Sequence, residues 1–222
     1  MTRFFDIIFS FIAMLILLPF MIPIMIGLKL TGEHYIFYLQ PRVGKGGKPF
    51  NVFKFATMLK DSPKMQGGFI TQAKDPRILP MGNFLRKTKI NELPQLLNIF
   101  LGQMSFVGPR PIVQAHIDLY PENTRREILK LTPGLTGIGS LVFRDEEGVL
   151  DRSSGDRKRL HDTIIGPYKG ELELWYTKHR NIISYFAIIF LTALSVLLPR
   201  SDAYKHIFHD LPPVPAELQP YL

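Results

Sequence analysis

The residues of this chain best suited to chemistry lie between positions 91 and 111. Asn91 is a good helix N-cap, and Glu92 follows in what would be the first turn, where the helix dipole favours a carboxylate. Pro94 is tolerated there because the first N–H groups of a helix have no intrahelical partner. Leu93, Leu96, Leu97 and Phe100 recur at i, i+3, i+4 and i+7, predicting one apolar helix face that Gly102 would end. That arrangement would set Asn91 and Glu92 at a helix N-terminus, which suits an anion. Gly108-Pro109-Arg110-Pro111 then places one arginine between two prolines. A guanidinium held that stiffly can grip a phosphate through two N–H groups. Taken alone, the segment also reads as a rigid turn with a solvent-exposed arginine.

Other polar clusters are less specific. Asp145-Glu146-Glu147 could help hold a metal or could simply be solvated. The charged stretch from Arg144 to Arg159, containing Ser153-Ser154-Gly155, predicts a mobile surface loop. The six histidines show no metal-ligand spacing beyond a weak i, i+3 pair, His206 and His209. Gly44, Gly46 and Gly47 lack the spacing of a phosphate-binding P-loop and more simply supply positive φ in a turn.

Several elements must position these groups. Tyr35–Arg42 and Pro49–Phe55 read as two strands joined by a Gly-rich hairpin turn. Lys60 to Lys74 reads as a polar loop, broken by Asp61-Ser62-Pro63 and Gly67-Gly68. Asp75-Pro76-Arg77 opens the next ordered part, Gly82 to Thr88 is short and basic, and Thr132 to Gly137 is a tight segment. Tyr168 to Arg180 reads as a helix carrying the only tryptophan, Trp175. No internal repeat is present.

Ile7 to Leu28 is an uncharged run of 22 residues, long enough to cross a bilayer. Pro19 and Pro23 lie inside it, and each removes a backbone donor. Arg3 and Lys29 flank it, and basic flanks favour the cytoplasmic face. A re-entrant hairpin bent at Pro19 and Pro23 keeps both flanks on one side. A single-pass anchor and a signal peptide are the alternatives, the latter disfavoured by the length of the run and the lack of a small-residue cleavage site. A second apolar run, Ile182 to Leu198, is ended by Pro199 and interrupted by Ser184, Tyr185, Thr192 and Ser195. It predicts a helix at the membrane interface or packed on the domain, with a second span as the alternative.

Composition sets the limits. The chain has 222 residues, 46% hydrophobic and 21% charged, with no cysteine and a net charge of +8. It is long enough for one domain with a core and too apolar to be disordered. Disulfides and thiolate zinc sites are excluded. The positive charge suits an anionic membrane surface or nucleotide phosphates. Nucleic acid fits poorly, because the aromatics sit in apolar runs and are not interleaved with basic residues.

Met81-Gly82-Asn83-Phe84-Leu85-Arg86-Lys87-Thr88, Asn91-Glu92-Leu93-Pro94-Gln95-Leu96 and Gly102 through Pro111 together resemble the bacterial sugar transferase family, the monotopic polyprenyl-phosphate phosphoglycosyl transferases. Arg3-Phe4-Phe5-Asp6, the strand-pair residues Gln40, Arg42, Gly44, Gly47, Lys48, Phe50, Lys54, Phe55, Thr57 and Met58, then Asp75-Pro76-Arg77-Ile78 and Pro133 to Gly137, agree in order. The resemblance covers roughly residues 3 to 200. It implies a small mixed α/β catalytic domain with an N-terminal re-entrant membrane helix and interfacial amphipathic helices. The implied division is 1–32 for the membrane helix, 33–180 for the catalytic domain, 181–200 for an apolar interfacial helix and 201–222 for a C-terminal tail. The implied reaction moves a sugar 1-phosphate from a UDP-sugar to undecaprenyl phosphate with Mg2+, releasing UMP at the cytoplasmic face of the bacterial inner membrane. A homodimer is among the assemblies the sequence allows.

By the same resemblance, Glu92 and Asn91 occupy the catalytic and metal-ligand positions, and Arg86 and Arg110 are phosphate clamps, with Pro109 and Pro111 holding Arg110. Lys54 would contact a phosphate or headgroup, and Gln95, one turn after Asn91, would orient it or a ligand. The chain departs from the family where Asn91 stands in place of the nucleophilic Asp. Glu92 could then act alone as nucleophile or base, another acid such as Asp145 or Glu146 could be recruited, or the chain could be an inactive membrane-anchored module binding lipid or a partner. Leu18 before Pro19, Ala56 after Phe55 and Gln103 before Met104 are smaller departures.

Overall fold

The computed structural model describes residues 2–65, 75–118, 120–153, 157–198 and 202–222. The chain folds as two compact units. One holds residues 4–41 and 51–102, and the other holds 1–3, 42–50 and 103–222.

In the first unit, α1 (Thr2–Leu30) is a single helix running through Pro19 and Pro23. The two prolines donate nothing to the carbonyls of Leu15 and Pro19, yet the helix continues on either side. Among the described residues, α1 is the one helix long and apolar enough to cross a membrane. Most of its large side chains, from Phe4 through Leu15, Leu18 and Phe20 to Ile26, are exposed. Its end is anchored differently. Leu28 is buried with Phe55 and Leu85, and Met21, Ile24, Met25, Ile36, Met81 and Ile90 pack on that cluster.

The strand pair follows, β1 (Phe37–Val43) beside β2 (Pro49–Phe55), whose turn and inner ends, residues 42–50, belong to the second unit. Gly46 and Gly47, at φ 69° and 75°, make the turn between them, the conformation glycine supplies without a Cβ clash. The strands and turn agree with the sequence expectation. Asp75 and Arg77 are both buried and form a bidentate pair, Nε to Oδ1 at 2.8 Å and Nη2 to Oδ2 at 2.6 Å. Arg77 Nη1 also donates to the Ser62 carbonyl at 3.0 Å. Next come α2 (Gly82–Lys87) and α3 (Gln95–Leu101).

α3 corrects the expected helix. It starts at Gln95, and Ile90–Glu92 is a separate 3-10 turn entered through Lys89 at φ 61°. The reason is that the hydrogen bonds here run i to i−3, Glu92 N to Lys89 O, Leu93 N to Ile90 O and Leu96 N to Leu93 O. Asn91 therefore caps nothing. The buried face is also rotated from the expected one. Gln95, Asn98 and Ile99 point inward with Leu96, while Leu97, Phe100 and Leu101 are exposed. Asn98 explains the rotation: its Oδ1 accepts from Phe53 N at 2.9 Å and its Nδ2 donates to Asn51 O at 2.8 Å, tying α3 to β2. Phe100 lies 6.2 Å, ring to ring, from Phe11 of α1.

In the second unit, β3 (Ser105–Val107) and β4 (Gly134–Thr136) pair in parallel, Ser105 opposite Gly134 and Val107 opposite Thr136. The helices α4 (Gln114–Ile117) and α5 (Glu122–Ile128) cross between them. A Cβ on Gly108 would sit 2.4 Å from Thr132 O, and one on Gly134 would sit 2.1 Å from Gly108 N, so only glycine permits this backbone contact. Then follow α6 (Ile138–Val142), α7 (Glu146–Arg152), α8 (Arg157–Leu160), a π-helical turn at His161–Ile165, α9 (Gly166–His179), α10 (Ile182–Leu197) and α11 (Ala203–Ile207).

The charged stretch expected as a mobile loop is largely α7 and α8. Asp145 caps α7 by accepting from Gly148 N and pairs with Arg152 at 3.1 Å, while Arg157 pairs with Asp151 at 2.9 Å. Val149 and Leu150 are buried beneath. Residues 66–74, Ser154, Gly155 and Pro199, on which other expectations rested, lie outside the described residues. α9 and α10 are helices where the sequence predicts them. Asn181 and Ser184 form a reciprocal capping box at the start of α10.

Candidate functional site

Two groups of functional side chains form, one within each unit. In the first unit the 3-10 turn carries Asn91 and Glu92. Ile90, the residue before them, packs on the cluster that receives the end of α1, so the turn is fixed at the base of the apolar helix. Asn91 is 7% exposed, and its Oδ1 is buried with no hydrogen-bond partner. A native interior seldom leaves such an oxygen unsatisfied, because desolvation costs about 1–3 kcal/mol. Glu92 Oε1 lies 4.0 Å from Lys54 Nζ, with the two side chains 16% and 19% exposed. Lys54 comes from β2 and Glu92 from the turn, so the two elements hold opposite charges together at a partly exposed edge. Gln95 is buried one turn beyond Asn91. Arg86 extends from α2, and its Nη1 is 3.6 Å from Met58 Sδ.

In the second unit Arg110 leaves the end of β3 with its side chain exposed and Pro109 buried beside it. Gly108 N donates to Thr136 O at 3.0 Å and Gly134 N to Pro109 O at 2.8 Å. The Gly-Pro-Arg-Pro and Pro-Gly-Leu-Thr-Gly segments are thus one backbone unit. Around it gather Glu146, which the sequence offered as a metal ligand or a recruited acid, and residues that sequence reasoning missed or left as incidental. Glu146 Oε2 is 2.7 Å from Lys169 Nζ, and Glu146 Oε1 is 3.8 Å from His161 Nε2. Burial raises the Glu146 carboxyl, but Lys169, His161 and Arg110 outweigh it and hold the group below the usual carboxylate range. His116 and His161 lie 5.1 Å apart, ring to ring, and burial with His161, Arg42 and Lys169 pushes His116 down against the pull of Asp162. Glu173 is buried on α9 beneath the Arg110 backbone. Its available signal was spacing: Gly166, Gly170 and Glu173 recur at one side of α9, and two glycines there announce a close approach. Among the described residues no three His, Asp or Glu side chains gather to hold a metal by themselves.

The chain is matched by the bacterial sugar transferase family over residues 1–199 and belongs to that family. An exopolysaccharide production protein of Rhizobium leguminosarum bv. phaseoli is 34% identical over 204 residues, 89% of this chain and 95% of the relative. The Escherichia coli UDP-glucose:undecaprenyl-phosphate glucose-1-phosphate transferase is 33% identical over 193 residues. That match takes in 84% of this chain, which spans 38% of the E. coli protein. A putative undecaprenyl-phosphate N-acetylgalactosaminyl 1-phosphate transferase of Bacillus subtilis is 40% identical over 150 residues, 67% of this chain and 80% of the relative.

Proposed function

We propose that the protein transfers a sugar 1-phosphate from a UDP-sugar to undecaprenyl phosphate at the cytoplasmic face of a bacterial membrane, as a first step in surface glycan synthesis. The observation that carries it is the Asn91-Glu92 turn. In a chain of this family, a partly buried carboxylate beside Lys54 and an orphaned amide oxygen are seated at the foot of an exposed apolar helix. A site at that foot meets a lipid phosphate at headgroup depth and a soluble nucleotide from the aqueous side. The re-entrant bend at Pro19 and Pro23, and an interfacial setting for α10, belong to the same proposal.

A Glu92 carboxylate oxygen attacks the β-phosphorus of the UDP-sugar. The bond from that phosphorus to the bridging oxygen breaks, and UMP leaves. A phosphate oxygen of undecaprenyl phosphate then attacks the phosphorus of the resulting acyl phosphate, forming the lipid diphosphate sugar and restoring the carboxylate. Lys54 offsets charge as the carboxylate and diphosphate approach. Arg86 is assigned to phosphate oxygens, for which a guanidinium fork is suited, and Arg110, within its own unit, carries a guanidinium suited to the same chemistry. Mg2+ fits the donor set: Glu92 and the unpartnered Asn91 Oδ1 would hold it, because this ion takes few protein oxygens and completes its shell with phosphate and water. When bound it would supply charge neutralisation on the diphosphate.

The test is UMP release from a panel of UDP-sugars by the detergent-solubilised protein with undecaprenyl phosphate and Mg2+. Release that requires both the lipid and Glu92 supports the transferase. Asn91 motivates one other reading, a weakened or silent membrane module, since a neutral amide fills the buried position beside Glu92. If the wild type is silent and Asn91→Asp releases UMP, that second reading replaces the first.

A further inference from the structure

Glu173 is a carboxyl group in a place where a carboxyl group is costly. It is 5% exposed, and its Oε2 is buried without a hydrogen-bond partner. The backbone N–H groups of Arg110 and Gly139 favour its charged form. The protein has made room for it: a Cβ on Gly139 would fall 2.6 Å from Glu173 Oε1, and one on Gly137 would fall 2.4 Å from Gly108 O and 3.8 Å from Glu173 Oε2. One side chain thus joins the loop carrying Arg110 to the start of α6, at the point where two glycine-containing segments meet backbone to backbone. A leucine would fill the space but would offer no acceptor to those N–H groups.

We infer that Glu173 is a positioning residue whose side-chain carboxyl latches the Arg110 loop in place, so that the guanidinium is presented to a phosphate of the substrate. The role rests on the proposed transferase function for its consequence, and on geometry for its existence. The latch depends on protonation. Burial pushes the Glu173 carboxyl up to about 8, against the backbone donors of Arg110 and Gly139 and the charges of Lys169 and Arg110, which pull it down. The facing Tyr120 phenol is itself pushed up, by burial and by Glu173 and Glu146, and keeps its proton through that range. Near neutrality Glu173 is therefore a neutral acid, and in alkali it becomes a buried anion that its surroundings do not accommodate.

The folded pKa lies above the unfolded one, so the folded state holds a proton that the unfolded chain releases. Stability falls as pH rises from the ordinary carboxylate range through about 8 and then levels off. Glutamine mimics the neutral acid in shape and hydrogen bonding and cannot ionise.

The experiment compares wild type, Glu173→Gln and Glu173→Ala between pH 6 and 9.5 by two readouts. The first is kcat/KM for UMP release. Wild type should lose activity above pH 8, and Glu173→Gln should match it at pH 7 but lack the alkaline fall. Glu173→Ala should lose about tenfold or more at every pH, mainly in KM, because a displaced binding group costs that much. The second is intrinsic fluorescence of Trp175, the only tryptophan, two residues along α9. It should step near pH 8 in wild type and not in Glu173→Gln. An alkaline fall that persists unchanged in Glu173→Gln, or a fluorescence step that persists there, overturns the latch. No UMP release from the wild type at any pH overturns the transferase reading instead, while the fluorescence comparison still decides the latch.

Discussion

At the scale of single residues, Glu92 and Asn91 present opposite cases. Glu92 has a lysine across from it and a partly exposed edge, which suits the proposed role of nucleophile. Glu92→Gln keeps the shape and removes the charge. UMP release should fall by at least about a hundredfold, and without lipid the burst of UMP that marks an acyl phosphate should vanish. A Gln variant that retains the burst would move the nucleophile elsewhere. Asn91 stood out in the sequence, but its local structure did not. Its type suggested a helix cap, yet i to i−3 bonding ends the turn before α3 begins and leaves its oxygen unpartnered. Asp75 and Arg77 were visible only as the opening of an ordered part, because nothing in Asp-Pro-Arg announces burial. Asp75→Ala leaves a buried guanidinium without its carboxylate and should destabilise the fold by about 3–5 kcal/mol, read as a lowered urea midpoint. A change within experimental error would mean that water replaces the pair.

At the scale of elements, periodicity served where a helix or strand stands on its own pattern and failed where tertiary bonds choose the face. The hairpin, α9 and α10 follow directly from alternation, apolar runs and glycine placement. α3 does not, since Asn98 turns its polar side inward to satisfy the β2 backbone and leaves Leu97, Phe100 and Leu101 outward. α7 was hidden by its charges, which pair at helical spacing above buried Val149 and Leu150. The rotated α3 has a consequence. Its outward apolar face adjoins Phe11 of α1, so Leu101→Glu should weaken retention in lipid nanodiscs while leaving the melting temperature in detergent nearly unchanged. Loss of both would make the residue structural. α1 carries its own test. The chain has no cysteine, so single cysteines at Thr2 and Thr31 report topology without background. A re-entrant helix labels both from the cytoplasmic side of vesicles. A simple span labels them from opposite sides, and that outcome removes the bend at Pro19 and Pro23.

At the scale of the whole molecule, two forces act on membrane association and differ in salt dependence. The exposed side chains of α1 supply apolar transfer, which salt does not weaken. The net charge of +8 supplies attraction to anionic lipids, which reaches about 10 Å at 0.1 M salt and about 3 Å at 1 M. If α1 is inserted, 1 M salt and alkaline carbonate should leave the protein on the membrane. On the proposed function the charge should act on substrate encounter, because both the nucleotide sugar and the lipid phosphate are anions. Activity in nanodiscs should therefore depend on lipid composition and salt while retention does not. Anionic lipid around the site concentrates cations and repels the nucleotide, so KM for the UDP-sugar should rise with anionic lipid content and the difference should collapse toward 1 M salt. Release of the protein by salt alone would show that charge, and not α1, holds it. In that case the apolar surface of α1 would need a protein partner to cover it.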